Sequence, residues 1–231
     1  MGGAFPKTAI IAVLAATLGG CTSSVGPVAS IPALPLSVLT SPAAQATVIP
    51  TTTMAPDGEA AVPAGFASFC LRFPDQCPAS GGAPSVAMTA SLWQTLAKVN
   101  GDVNDAIWPE DDEQHYGRAE YWTIPTDGYG DCEDYALTKR KALMAQGLPA
   151  AALRVAVVIT PRENRHAVLT VVTDKGDYVL DNLTKAVLPW DRTGFRWIER
   201  QDPVNTQAWV SLRPAERQLA ASAAMKTAAS P

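Results

Sequence analysis

Histidine is scarce in this chain. Its 231 residues include two, His115 and His166, so any reaction that needs an imidazole has few ways to be built. No apolar run approaches the ~18 residues of a membrane-spanning helix. No block of Lys and Arg is long enough to follow a phosphate backbone, and the formal net charge is −4, which sets nucleic acid aside as a partner. No internal repeat is visible. Cysteine occurs four times, and Cys70 and Cys77, with no third cysteine or histidine beside them, make a poor zinc site. What is present fits a globular protein. The hydrophobic share is 47%, inflated by Ala-rich ends, and the length suits one domain with flanking tails or two small domains.

The N-terminus reads as an export signal. Lys7 precedes an apolar stretch over 8–18, and small residues follow before a cleavage site, as in a secretory signal. The ending Leu18-Gly19-Gly20-Cys21 resembles a bacterial lipobox, which makes Cys21 the lipid-modified first residue of a mature protein. A multiply acylated Cys21 holds a protein on a membrane, whereas one acyl chain anchors only marginally. The alternative is an ordinary signal peptide with an incidental cysteine. The lipobox reading places the protein in the periplasm as a membrane-anchored lipoprotein, with inner or outer membrane left open.

Three cysteines then remain: Cys70, Cys77 and Cys132. Cys70 and Cys77 flank a short segment containing Pro74, a spacing that suits a local disulfide in an oxidising compartment. The alternative is that both stay reduced and buried. Either way Cys132 has no partner, as a nucleophile requires.

Composition divides the rest. Residues 22–62 are rich in Pro, Ala, Ser and Thr with almost no charge before Asp57, which reads as a disordered tether. A folded domain is expected over 63–212 and an Ala-rich tail over 213–231. Within the domain, Leu92, Trp93, Leu96 and Val99 have helical spacing that continues through Val103 and Ile107 to Pro109. Residues 109–130 read as a loop with an acidic start, Glu110-Asp111-Asp112-Glu113. A second helix begins at Cys132 with Asp131 as N-cap, and Gly147 and Pro149 end it. Strands follow over 153–160, 166–173 and 178–183, with others near Phe195 and Trp209.

Cys132, His166 and Asp181 form the arrangement a cysteine nucleophile needs. The thiolate attacks, the imidazole moves the proton, and the carboxylate fixes the imidazole's tautomer. An unperturbed thiol has a pKa of roughly 8.5, and unpaired N–H groups at a helix start favour the thiolate. Asp131, Glu133 and Asp134 oppose it, so their charge has to be directed away or neutralised. The hairpin between His166 and Asp181 sets a geometric condition. A three-residue loop Asp174-Lys175-Gly176 sends the two side chains to opposite faces of the sheet. A two-residue Lys175-Gly176 loop, or one bulge, returns them to the same face. A working triad predicts the second kind.

These blocks carry a resemblance. Tyr116-Gly117, Glu120-Tyr121-Trp122, Gly130-Asp131-Cys132-Glu133-Asp134-Tyr135, Lys139-Arg140, His166-Ala167-Val168-Leu169-Thr170 and Leu180-Asp181-Asn182-Leu183 resemble the bacterial transglutaminase-like cysteine proteinases. Leu188-Pro189-Trp190-Asp191, Gly194 and Trp209-Val210-Ser211-Leu212 extend the likeness to about residues 64–212. The resemblance implies an α+β, papain/transglutaminase-like fold with the nucleophile helix on an antiparallel β-sheet. It implies Cys132 as nucleophile, His166 as general base and acid, and Asp181 as the orienting carboxylate. The family's best understood branch consists of calcium-dependent periplasmic proteases that trim large surface adhesins. By position, Asp131 and Glu133 would be calcium ligands here, although Asp131 as a cap and Glu133 in solvent is the simpler alternative. The chemistry itself requires no cofactor.

An oxyanion hole also needs donors. Trp122 N–H and Tyr121 O–H are candidates, and both rings are equally suited to lining the cleft or packing on the helix. The expected activity is an exported cysteine peptidase acting on a protein substrate in the cell envelope. A transamidase sharing the first half-reaction, and a non-catalytic binding module on the same fold, are the alternatives.

Overall fold

The computed structural model describes residues 48–212. In chain order its main elements are β1 (Pro56–Ala60), α1 (Ala64–Arg72), α2 (Ala90–Ala106), β2 (Trp108–Pro109), α3 (Asp112–Tyr116), β3 (Tyr129–Gly130), α4 (Cys132–Ala145), β4 (Leu153–Ile159), β5 (Arg165–Thr173), β6 (Gly176–Leu180), β7 (Leu188–Pro189), β8 (Arg196–Gln201) and β9 (Trp209–Leu212). Seven strands form one sheet in the order β1-β9-β8-β4-β5-β6-β7, antiparallel at every pairing. The short β2 and β3 pair in parallel beside it.

The central strands are apolar along their length because both faces are covered. Val155, Val157, Leu169, Val171 and Leu180 on one face meet Phe66, Leu96, Val99, Leu137 and Leu143 from the helices. Ala156, Val158, Val168 and Val179 on the other meet Met54, Trp190, Trp197 and Leu212. Each fully buried Val or Leu contributes about 1.5–3 kcal/mol. This is the α+β architecture the sequence predicts, with α4 packed on β5 and β4.

Helix α4 ends as its sequence requires. Gly147 takes a φ of 89°, its N–H bonds the Met144 carbonyl, and the Leu148 N–H bonds the Leu143 carbonyl. That pair of bonds is a Schellman cap. The start differs from expectation: Asp131 holds the N-cap position but makes no side-chain capping bond. Helix α2 does have a side-chain cap, from Thr89 Oγ1 to the Leu92 N–H at 3.0 Å. Helices α1 and α3 were not expected; α3 lies within the stretch read as a loop.

The tether boundary at residue 62 is also corrected. Residues 48–55 strap across the sheet and β1 pairs with β9. Met54 N–H donates to Asp177 Oδ2 at 2.9 Å, and its carbonyl accepts from Arg200 at 2.7 Å. Arg200 and Asp177 are themselves paired at 2.6 Å and buried. Sequence composition hid this because the bonds use the strap's backbone. The export signal, Cys21, the tether before residue 48 and the tail from 213 lie outside the described residues. Among the described residues, no helix is long and apolar enough to cross a membrane.

The β5–β6 hairpin has the two-residue turn a triad needs, one residue earlier than expected. Thr173 pairs with Gly176, so Asp174 and Lys175 form the turn. Gly176 has a φ of 104°, and a Cβ there would stand 2.6 Å from the Thr51 carbonyl carbon and oxygen. The crossing strap and the positive φ both call for glycine.

Candidate active site

Cys132 is the first residue of α4 and the one free cysteine among the described residues; Cys70 and Cys77 form a disulfide. Helix α4 brings the Cys132 sulfur against the start of β5, where it accepts the Ala167 N–H at 3.3 Å. On its other side the thiol donates to Glu133 Oε2 at 3.1 Å. Burial and the Glu133 charge push the thiol well above its ordinary pKa, with the Ala167 N–H opposing them.

The hairpin places the other two residues. Leu169 pairs with Leu180, so one further step sets Asp181 opposite Val168, which shares a face with His166. His166 Nε2 and Asp181 Oδ1 are 2.8 Å apart, and both side chains are buried. A carboxylate only accepts, so Nε2 carries the hydrogen and Nδ1 is the nitrogen available for proton exchange. Asp181 is held from three directions. Its Oδ1 also accepts the Leu183 N–H at 3.0 Å, and its carbonyl accepts Asn104 Nδ2 at 2.9 Å. The Phe195 ring stands edge-on to His166 at 5.9 Å. Cys132 and His166 line one cleft of about 510 Å³, whose far wall carries Glu110, Asp111, Asp112 and Glu113.

Lys139, two turns along α4 from Cys132, is fully buried. Its Nζ has no hydrogen-bond partner among the described residues. Burial lowers its pKa to about 7, with the Asp181 charge acting in the opposite sense.

Carboxylates crowd the start of α4. Oxygens of Asp112, Asp131 and Asp134 lie within 4.8 Å of one another. Asp134 Oδ1 accepts the Thr123 N–H at 2.7 Å and Asp112 Oδ2 accepts the Tyr121 N–H. Asp112 Oδ1, Asp131 Oδ1 and Asp134 Oδ2 are buried with no hydrogen-bond partner among the described residues. Burial raises Asp134 to about 8 and raises Asp112. Burial pushes both Asp131 and Glu133 up, and the Asp131 charge adds to the rise at Glu133. Three carboxylates that bring oxygens within 4.8 Å of one another, each with an orphaned oxygen, fit a divalent cation of the calcium type. The sequence reading chose Asp131 and Glu133. Asp131 and Glu133 stand with Cys132 in one group whose ligand atoms lie within 4.8 Å of one another, and Asp131 stands with Asp112 and Asp134 in a second. Asp134 stood in the motif, and Asp112 in the acidic run Glu110-Asp111-Asp112-Glu113.

Of the expected oxyanion donors, the Trp122 indole N–H is engaged elsewhere, donating to Glu120 Oε2 at 3.0 Å, while its ring walls a 50 Å³ cavity beside Cys132. Tyr121 is sandwiched between the guanidiniums of Arg72 and Arg118, at 4.2 and 3.9 Å from its ring centre. The Ala167 N–H, which sequence spacing could not reveal, is the backbone donor observed at the sulfur.

A thiol at a helix start and an imidazole–carboxylate couple in one cleft form the constellation of cysteine-nucleophile enzymes. The chain belongs to the bacterial transglutaminase-like cysteine proteinase family, which residues 57–217 match. Among solved structures it is similar to calcium-bound LapG of Legionella pneumophila, at 27% identity and a TM-score of 0.43, over 48% of this chain. It spans 65% of that LapG chain, just under two thirds. EGTA-treated LapG of the same organism is similar at 25% identity and a TM-score of 0.45, over 59% of this chain and 78% of that one. No curated protein matches.

Proposed function

We propose that this protein is an exported cysteine peptidase that cuts a protein of the cell envelope or surface, with Cys132, His166 and Asp181 as its triad. The 2.8 Å bond between His166 Nε2 and Asp181 Oδ1, made in the cleft that Cys132 enters, carries the reading. His166 Nδ1 takes the thiol proton and the Cys132 sulfur attacks the peptide carbonyl carbon. The imidazolium returns the proton to the leaving amine as the C–N bond breaks, leaving a thioester. Water, deprotonated by the same nitrogen, attacks the thioester and the thiol is regenerated. Asp181 keeps the tautomer and offsets the imidazolium charge.

Asp112, Asp131 and Asp134, with Glu133 beside them, would hold calcium, which when bound supplies positive charge against the carboxylates that oppose a thiolate. The rest of the chemistry belongs to the chain's own groups. The signal sequence and Cys21 support a periplasmic, lipid-anchored location, with the substrate met at the membrane surface.

The test is to compare cell-envelope proteins exposed to wild type and to Cys132→Ala, reading new protein N-termini by mass spectrometry. New N-termini that require Cys132 support the peptidase. Incorporation of a labelled amine without new N-termini makes the protein a transamidase. Function that survives Cys132→Ala makes it a binding module.

A further inference from the structure

Two large apolar side chains stand in solvent near the cleft: Trp108 is 69% exposed and Leu183 is 64% exposed. Apolar side chains exposed singly are ordinary, whereas two that line one hollow make a patch. Together they face a second hollow of about 410 Å³, whose lining also includes Ile107, Tyr135 and the polar Asn104 and Asp105. The hollow adjoins the Cys132 cleft: Pro109, Asn182 and Leu183 line both.

Both walls are tied to the triad through backbone. Trp108 sits in β2, whose partner β3 ends two residues before Cys132. The Trp108 N–H bonds the Gly128 carbonyl at 2.8 Å, and the Glu110 N–H bonds Gly130 at 3.0 Å. On the opposite wall, the Leu183 N–H donates to the same Asp181 oxygen that receives His166. Asn104 holds the Asp181 carbonyl. A trough whose apolar side is built from Trp108, Pro109 and Leu183, held by backbone bonds at a fixed offset from the nucleophile, suits a side chain of the polypeptide being cut. A mobile partner would not need that registration.

We propose that the Trp108–Leu183 trough is a substrate subsite, taking an aromatic or branched aliphatic side chain a fixed distance along the chain from the scissile bond. This rests on the peptidase reading and adds its specificity. An extended polypeptide running out of the acidic cleft over Leu183 places alternate side chains on one side, and one of them fills the trough. Contact with Trp108 and Leu183 then selects against small residues at that position.

The test uses the full chain with calcium present and a proteome-derived peptide library with blocked amines. Wild type, Trp108→Ala, Leu183→Ala and a control, Leu71→Ala, are compared by sequencing the cleaved products. Leu71 is 86% exposed and outside the trough. Wild type and the control are expected to enrich an apolar residue at one fixed position. For matched peptides differing only there, the apolar member should have at least about tenfold higher kcat/KM than the alanine member. Trp108→Ala and Leu183→Ala should bring that ratio close to one. Cleavage without such a preference, or a preference that both variants retain, overturns the subsite while the peptidase stands. No Cys132-dependent cleavage of any peptide overturns the peptidase reading and the subsite with it.

Discussion

Cys132 and Glu133 are neighbours in sequence and also hydrogen-bond partners, with Sγ 3.1 Å from Oε2. That contact and burial hold the sulfur as a thiol. A cation on the adjacent carboxylates relieves the repulsion. Calcium should therefore speed alkylation of Cys132 by iodoacetamide at neutral pH by roughly tenfold, equivalent to about one pKa unit. Asp134→Asn should remove most of that acceleration. Labelling followed by mass spectrometry checks both, and a rate indifferent to calcium would count against the cation's role.

Asp181→Asn keeps the size of the side chain but loses the obligate acceptor at His166 Nε2. The amide can stabilise the wrong tautomer, and no longer offsets an imidazolium. The expected fall in kcat is roughly 10²- to 10⁴-fold. Steady-state assays on any cleaved peptide measure it, with circular dichroism to confirm the fold.

Lys139 gives a pH signature in stability. Its folded-state pKa of about 7 lies below the ordinary 10.5, so between those values the unfolded chain binds more protons. Stability contributed through this group therefore rises with pH across that window, and the full penalty is felt below about pH 7. Lys139→Met should be more stable than wild type at pH 6, by on the order of 3 kcal/mol. The gain should shrink as pH approaches 10. Urea unfolding at pH 6 and pH 9 gives the comparison, and a pH-independent difference would contradict it.

Asp177→Ala strips the buried partner from Arg200 and the acceptor from the Met54 N–H. Removing one member of a buried ion pair costs about 3–5 kcal/mol. Thermal unfolding should show the loss, and limited proteolysis should cut first within residues 48–55.

Thiol counting tests the cysteine assignment. A form beginning after Cys21 should react with one equivalent of a thiol reagent when unfolded without reductant, at Cys132. Prior reduction should expose Cys70 and Cys77 as well.

Helix and strand periodicity revealed α2, α4 and the central strands, because each buries a face whose spacing is written in single residues. The proposed triad drew on the same kind of pattern for Cys132, which opens a helix. The hairpin parity that sets His166 and Asp181 on one face came only from the observed turn. Other features depend on contacts between distant segments. Asp112 joins Asp131 and Asp134 only after the loop folds back. Residues 48–55 looked unstructured because their side chains are bland while their backbone bonds are distant. The Asp131 cap failed because a carboxylate in a cluster of carboxylates has a competing role that local sequence does not express.

The strap gives the molecule a seam. Thr51 crosses directly over Gly176 at the tip of the hairpin that bears His166 near one end and leads into Asp181 at the other. A protein shortened to residue 57, where the family match begins, would keep every triad residue. It would lose the crossing segment that latches the hairpin tip, and Arg200 and Asp177 would lose the backbone between them. The domain's working boundary is therefore set by where the hairpin of His166 and Asp181 is clamped, several residues ahead of where its recognisable sequence starts.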